Sequence, residues 1–362
     1  MKKWFRYTCA GLVLVTALSI GLSGQAFDAG AEQLKRTNIL ELQEMPVTIT
    51  PDGGKLLLSD SPEMVPAYGI MYQDTVRGDV RLFFHHVNAT PEPGKIIVLL
   101  VNEGEQEANV VLKQRGISGP DLNYLEVGKA AQLDYLTRKD FELICVPAKG
   151  TILLDSSLDS TVVDQNMLVN GIYDFTMDQP VKVVTMMLPV DADPAKFLAE
   201  AEVLPADSQR LRGTFDGMDR IIAMKGAYNP KEDGAVVITL ADNKKDRFLA
   251  GTDATDGSRT INYGNYGVVY RLYIPSYHDQ NLSVYLNPRG GEFAGGLNTQ
   301  FRHQQVNTVA TPYDKLFFGS DSRTDFAHLG DFTGGQSLWL TFSPPGASNL
   351  PVKVILIPNM NY

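Results

Sequence analysis

Asp79-Val80-Arg81-Leu82-Phe83-Phe84-His85-His86 is the stretch on which the fold turns, because Val80, Leu82 and Phe84 alternate with Arg81, Phe83 and His85. A period of two is the signature of a strand with one face against a core. The same signal recurs at residues 96–101, 108–114, 141–146, 151–154, 171–175 and 181–188, with Gly, Pro, Asn and Asp between the runs. Short strands separated by turn residues predict a β-sandwich, here of immunoglobulin-like kind. Further downstream, residues 235–240, 267–274, 282–287, 338–342 and 352–357 continue the pattern with longer loops. Glycine-rich turns such as Asp256-Gly257 punctuate them, and a second, jelly-roll-like sandwich is the expected solution.

Two segments depart from the alternation. Tyr124 to Arg138 carries Ala130, Ala131, Leu133 and Leu136 at helical spacing, and Asp193 before Pro194 is an N-cap followed by proline at the first helical position. Two short helices are therefore predicted, over 124–138 and 194–202. Upstream, Val47 to Thr50 and Lys55 to Leu58 flank the turn Pro51-Asp52-Gly53-Gly54, so residues 27–60 read as an N-terminal arm or hairpin. The polar stretch 204–212 reads as a linker, dividing a mainly β chain into sandwiches over 61–203 and 213–362.

The first 26 residues carry an address. Lys2, Lys3 and Arg6 precede an uncharged run from Gly11 to Leu22, with small residues in Ser23-Gly24-Gln25-Ala26. This is the pattern of a secretory signal peptide, cut after Ala26, and the expected location is secreted or cell-surface. No later run is long and apolar enough to predict a transmembrane helix. Losing the three cations takes the net charge from −10 to −13. So acidic a chain, without a basic cluster, is a poor partner for nucleic acid, which is bound by neutralising phosphates. Cys145 is the one cysteine left after cleavage. The alternation puts it with Phe141 and Leu143, predicting a buried structural thiol.

Beyond these generic features, the chain resembles uncharacterised secreted bacterial proteins of the kind often found with a copper amine oxidase N-terminal-like domain. The likeness is carried by Ser61-Pro62-Glu63, Gly69-Ile70-Met71-Tyr72-Gln73-Asp74-Thr75-Val76-Arg77-Gly78, Phe84-His85-His86-Val87-Asn88, Gly119-Pro120, Asn287-Pro288-Arg289-Gly290-Gly291 and Pro344-Pro345-Gly346. That domain itself is not seen here, and the resemblance implies location and architecture rather than an activity. The oxidase chemistry is missing too: Thr260-Ile261-Asn262-Tyr263 has one residue too few for the Thr-x-x-Asn-Tyr quinone segment, and no His-x-His pair occurs.

His85 and His86 point to opposite faces of a strand and cannot share a metal from it, so hydrogen-bonded structural roles are expected. Asp253 and Asp256, with Asp321, Asp325 and Asp331, supply hard oxygens that suit calcium, the one cofactor candidate, but they lack EF-hand spacing and turn-forming Asp is the competing reading. Gly-x-Ser-x-Gly and His-Glu-x-x-His are absent. The positive hint is aromatic. Tyr273 and Arg271 fall opposite Tyr270, Leu272 and Ile274, and Tyr285 falls opposite Val284 and Leu286, so all three are expected on polar faces as a ligand surface. The sequence thus predicts a non-catalytic envelope protein contacting wall glycan or another envelope protein, with a secreted polysaccharide hydrolase as the alternative.

Overall fold

The computed structural model describes residue 30 and residues 32–359 except 279 and 336; the expected signal segment and Cys9 lie outside the described residues. The chain is mainly β, as predicted, with helices at Tyr124–Thr137, Pro194–Glu200 and a single turn at Pro230–Asp233.

Two long strands organise the first half. Gly69–Asn88 and Leu168–Pro189, of 20 and 22 residues, pair antiparallel along almost their full lengths. The two separate runs expected at 171–175 and 181–188 are therefore one strand. Both strands bend midway, at Gly78 with φ +83° and at a register shift between Met177 and Val181. Glycine accepts the positive φ, and Pro180 at the shift has no N–H to lose from the ladder. Leu168–Pro189 thereby serves two layers, its first half pairing with Ala108–Asp121 and its second with Gly94–Val101, while Gly69–Asn88 pairs through residues 80–84 with Lys55–Ser59. Val80, Leu82, Phe84, Val98, Tyr173 and Val184 fill the space between the layers.

The opposite face of this sheet is buried as well. Leu56, Leu58, Phe83, Ile172 and Phe215 join the core of the second half rather than the first. Lys55–Ser59 lies parallel to Gly69–Asn88 on one side and antiparallel to Arg212–Asp216 on the other, and Ala250–Thr252 and Arg259–Ile261 extend the same eleven-stranded sheet. This sheet takes strands from both sides of 204–212, a segment in which Leu204 is buried and Arg212 donates to the carbonyls of Leu204 and Met71.

The second half stacks two sheets. Gln43–Glu44, Val236–Leu240, Val352–Pro358, Asn281–Pro288 and Ala327–Thr333 form one, in that order. The other runs Asn307–Thr311, Gly295–Phe301, Ser337–Phe342, Val269–Pro275, Asp219–Met224 and Val47–Asp52. Successive strands from Val236 onward mostly cross from one sheet to the other, as in a jelly roll. Leu272, Ile274, Leu297, Leu340, Val284 and Leu356 meet between them. The strands flanking the Pro51–Gly54 turn thus separate into two different sheets.

The Tyr124–Thr137 helix lies in the seam between the halves. Asn123 caps it by accepting from the Glu126 amide, and Gln132 clamps it across the seam, donating to the Gly296 carbonyl at 3.0 Å and accepting from its amide at 2.7 Å. Small residues allow the approach. A Cβ on Gly128 would lie 1.9 Å from the Gly346 carbonyl, and one on Gly116 would lie 2.2 Å from that of Ala131.

Cys145 corrects the sequence reading. Its thiol is exposed, with Phe141 and Leu143 also outside at 88% and 57%, while Ile144 and Val146 face the core. Alternation fixed the partners on each face of Glu142–Val146 but not which face is inward, because the run is apolar at nearly every position.

Candidate functional site

The outer face of the six-stranded sheet carries polar and aromatic side chains in rows. Cross-strand register aligns Thr308, Asn298, Thr341 and Arg271 in one row, and Gln300, Trp339 and Tyr273 in the next. Each follows from alternation: Leu297, Leu338, Leu340 and Leu272 take the core face, leaving their polar or aromatic neighbours outside. Over this face lie the end of the Tyr124–Thr137 helix and the strands Ala108–Asp121 and Leu168–Pro189. Together they close a cleft of about 630 Å³, lined by Trp339, Arg271, Lys139, Gln114, Asn298 and Gln300 among others. Asn298 reaches up from the floor to donate to the Leu136 carbonyl at 2.9 Å, so floor and roof are fastened together.

A buried ion network supports one wall. Arg81 donates through Nε and Nη2 to the two oxygens of Asp174, at 2.6 and 2.7 Å, and through Nη1 to Asp219 at 2.7 Å. Tyr135 adds its hydroxyl to Asp174 at 2.9 Å, and Arg271 reaches the second oxygen of Asp219 at 3.1 Å. Burial opposes the Arg81 charge, but the carboxylates of Asp174 and Asp219 outweigh it and hold its pKa well above the ordinary value. Burial likewise raises the Tyr135 pKa, so Tyr135 stays a neutral donor. Among the described residues lining the cleft, Asp174 is the one carboxylate, and both its oxygens are taken.

The expected ligand surface divides. Tyr273 is half-buried on the outer face, its ring 4.8 Å from that of Trp339, and Arg271 is exposed at the cleft. Tyr285 is a correction: it is 1% exposed, in the other sheet, packed with Leu34, Ile39 and Ile355. Its strand lies between Val352–Pro358 and the edge strand Ala327–Thr333 of the five-stranded sheet, and the N-terminal segment covers the face that alternation marks as polar. Segments distant in sequence can cover a face whose own residues read as solvent-facing. Trp339 was missed, although Leu338, Leu340 and Phe342 opposite it carry the same signal that selected Tyr273.

The aspartates proposed for calcium are occupied by other partners. Asp253, 1% exposed, accepts from Arg212 Nε at 2.7 Å and from the Thr255 amide and hydroxyl. Asp256 binds Arg210 at 2.6 Å, Asp321 accepts from the Arg323 amide, and Asp325 accepts from the Gly319 amide. Among the described residues no three His, Cys, Asp or Glu side chains gather as a metal set. His86 is hydrogen-bonded to Ser59 and to the Pro62 carbonyl, at 2.8 and 3.0 Å. A second hollow, about 810 Å³ beside residues 309–328, holds two internal ion pairs, Lys35 with Glu32 and Lys315 with Asp325.

No family model matches the chain, and no curated protein matches it. Among solved structures, it is similar to the CUB1-EGF-CUB2 domains of rat MASP-1, at 9% identity over 83% of this chain and 99% of that one, with a TM-score of 0.20. A Paenibacillus xanthan lyase is 8% identical over 89% of this chain and 26% of the lyase, at a TM-score of 0.19. The PBSX exported protein XepA is 9% identical over 80% of this chain and 86% of that one, at 0.18. Scores this low carry no argument about fold or function.

Proposed function

We propose that the chain is a secreted or cell-surface, non-catalytic protein that binds a glycan of the cell wall in the Trp339 cleft. One observation carries this reading: an aromatic ring stands among neutral amides and hydroxyls, with Gln114, Asn298, Gln300, Thr308 and Thr341 lining the same cleft. A sugar ring offers a face of C–H groups and a rim of hydroxyls. Indole stacks on the first, and amides both donate to and accept from the second. The hydrolase alternative calls for two carboxyl groups flanking the scissile bond, and Asp174, locked to Arg81, is a single carboxylate already used. The charged, apolar N-terminus and the resemblance to secreted bacterial proteins support the location.

The test is co-sedimentation with purified cell walls. Trp339→Ala should weaken binding by on the order of 1–3 kcal/mol, as expected of a central aromatic anchor, while the melting temperature stays within a few degrees. Unchanged binding by well-folded Trp339→Ala would move the ligand surface elsewhere.

A second reading, contact with an envelope protein, is favoured by the Glu142–Val146 strand. It pairs on one side only among the described residues, with Phe141 and Leu143 exposed along it. An open, apolar strand edge is a place where another chain can add a strand. Cross-linking in whole cells that depended on Phe141 and Leu143 would favour it over the glycan.

A further inference from the structure

We infer that the ligand of the Trp339 cleft is an acidic sugar, a uronate-type residue whose carboxylate is recruited by Arg271 with Lys139 as the second cation. This rests on the glycan reading above and goes beyond it to the charge of the ligand. The chain as a whole is acidic, at −10, and repels polyanions. The cleft is the local exception. Arg81, Arg271 and Lys139 carry three positive charges against the two negative charges of Asp174 and Asp219, so one positive charge is left in excess.

The disposition of the two cations suits a carboxylate. Arg271 is half-exposed, and Asp219 holds one terminal nitrogen of its guanidinium at 3.1 Å. A guanidinium has five donors in a planar fork, so one held nitrogen orients the group and leaves further donors for a ligand. Lys139 is exposed and donates to Gln114 at 3.0 Å, an acceptor without charge. Lys139 has no carboxylate partner among the residues lining the cleft, and Arg271 shares Asp219 with Arg81. Trp339 beside Arg271 completes a site with one apolar face and one cationic corner.

The experiment is affinity electrophoresis through gels containing polygalacturonate, alginate or hyaluronan, each compared with its carboxyl-reduced, neutral form. It is run at about 0.15 M salt, where repulsion by the rest of the surface is screened beyond about 8 Å. At least one acidic polymer should retard the protein about tenfold more strongly than its reduced form. Arg271→Gln should abolish that preference, so that the acidic and reduced forms retard the variant alike, and Arg271→Lys should keep part of it. If Arg271→Gln does not fold, Lys139→Gln, at an exposed position, makes the same comparison. Equal retention by charged and reduced forms overturns the acidic ligand and leaves the glycan reading standing. Failure to bind any polymer or purified wall overturns both.

Discussion

Buried titratable residues of the first half set how the protein responds to pH. Burial lowers the pKa of His85 to about 4 and that of His86 to about 3. Below the usual histidine range the unfolded chain takes up protons that the folded protein refuses, so stability falls as pH drops from about 6.5 toward 4. His85→Gln should flatten this acid limb, measured as melting temperature at steps between pH 7 and 4; an unchanged slope would place the proton uptake elsewhere. Asp60 acts in the opposite sense. Burial, reinforced by Glu63 and Asp207, raises its pKa well above normal, and its Oδ1 has no hydrogen-bond partner. The folded protein keeps a proton that the unfolded chain gives up, so this contribution is lost as pH rises through the folded pKa. Asp60→Asn should therefore raise the melting temperature more at pH 8 than at pH 4. Neither effect was legible in the sequence. The alternation around Phe84 placed each histidine on a face, but the depth of that face depends on strands from 168 onward. Cys145 makes the same point. An exposed thiol should react with a maleimide in the native protein, and Cys145→Ser should change stability by no more than about 0.5 kcal/mol; protection from the reagent would count against the exposed face.

At the level of elements, the seam helix sets two effects against each other. Alanine is favoured over glycine inside a helix by about 1 kcal/mol, so propensity alone would have Gly128→Ala stabilise. The Cβ would stand 1.9 Å from the Gly346 carbonyl, backbone that cannot swing aside. Displacing the helix to relieve the clash should cost about 1–3 kcal/mol or more, and would carry Leu136 and Thr137 away from the cleft. Chemical denaturation of Gly128→Ala decides which effect prevails, and a gain in stability would show that the seam yields. The helix itself was legible from its spacing and its place between strands, and so was the Asp193-Pro194 start. The length of the two central strands was not. Gly78 and Pro180 look like chain breakers in sequence, yet here they bend strands that continue beyond them. The outer face of the six-stranded sheet was half legible: Tyr273 and Arg271 were found by alternation, whereas the approach of Gln114 and Lys139 from the other half had no local signal.

Across the whole molecule, the Arg81 network and the shared core tie the two halves together. Arg81 and Asp174 come from the first half and Asp219 and Arg271 from the second, and Leu56, Phe83 and Ile172 pack into the core with Val268 and Tyr270. A single cooperative thermal transition is expected, and two resolved transitions would mean that the halves are energetically separate. Arg81→Met would leave Asp174 and Asp219 buried without their shared cation, a loss of about 3–5 kcal/mol readable as a lower denaturation midpoint. Mainly β architecture and a sandwich were readable from period and turns alone. The sheet that runs through 204–212 was not, since strand pairing at long range depends on shape rather than on local pattern.

The pairing of Lys55–Ser59 has a temporal consequence. Its neighbour on one side follows at once, but the strand on its other side, from Arg212, emerges only much later in synthesis. A nascent chain of this sequence cannot complete its central sheet until most of its length has been made, and contacts so far apart along the chain form slowly. If the chain is exported as proposed, such lateness keeps it open long enough to be passed through a membrane before it folds.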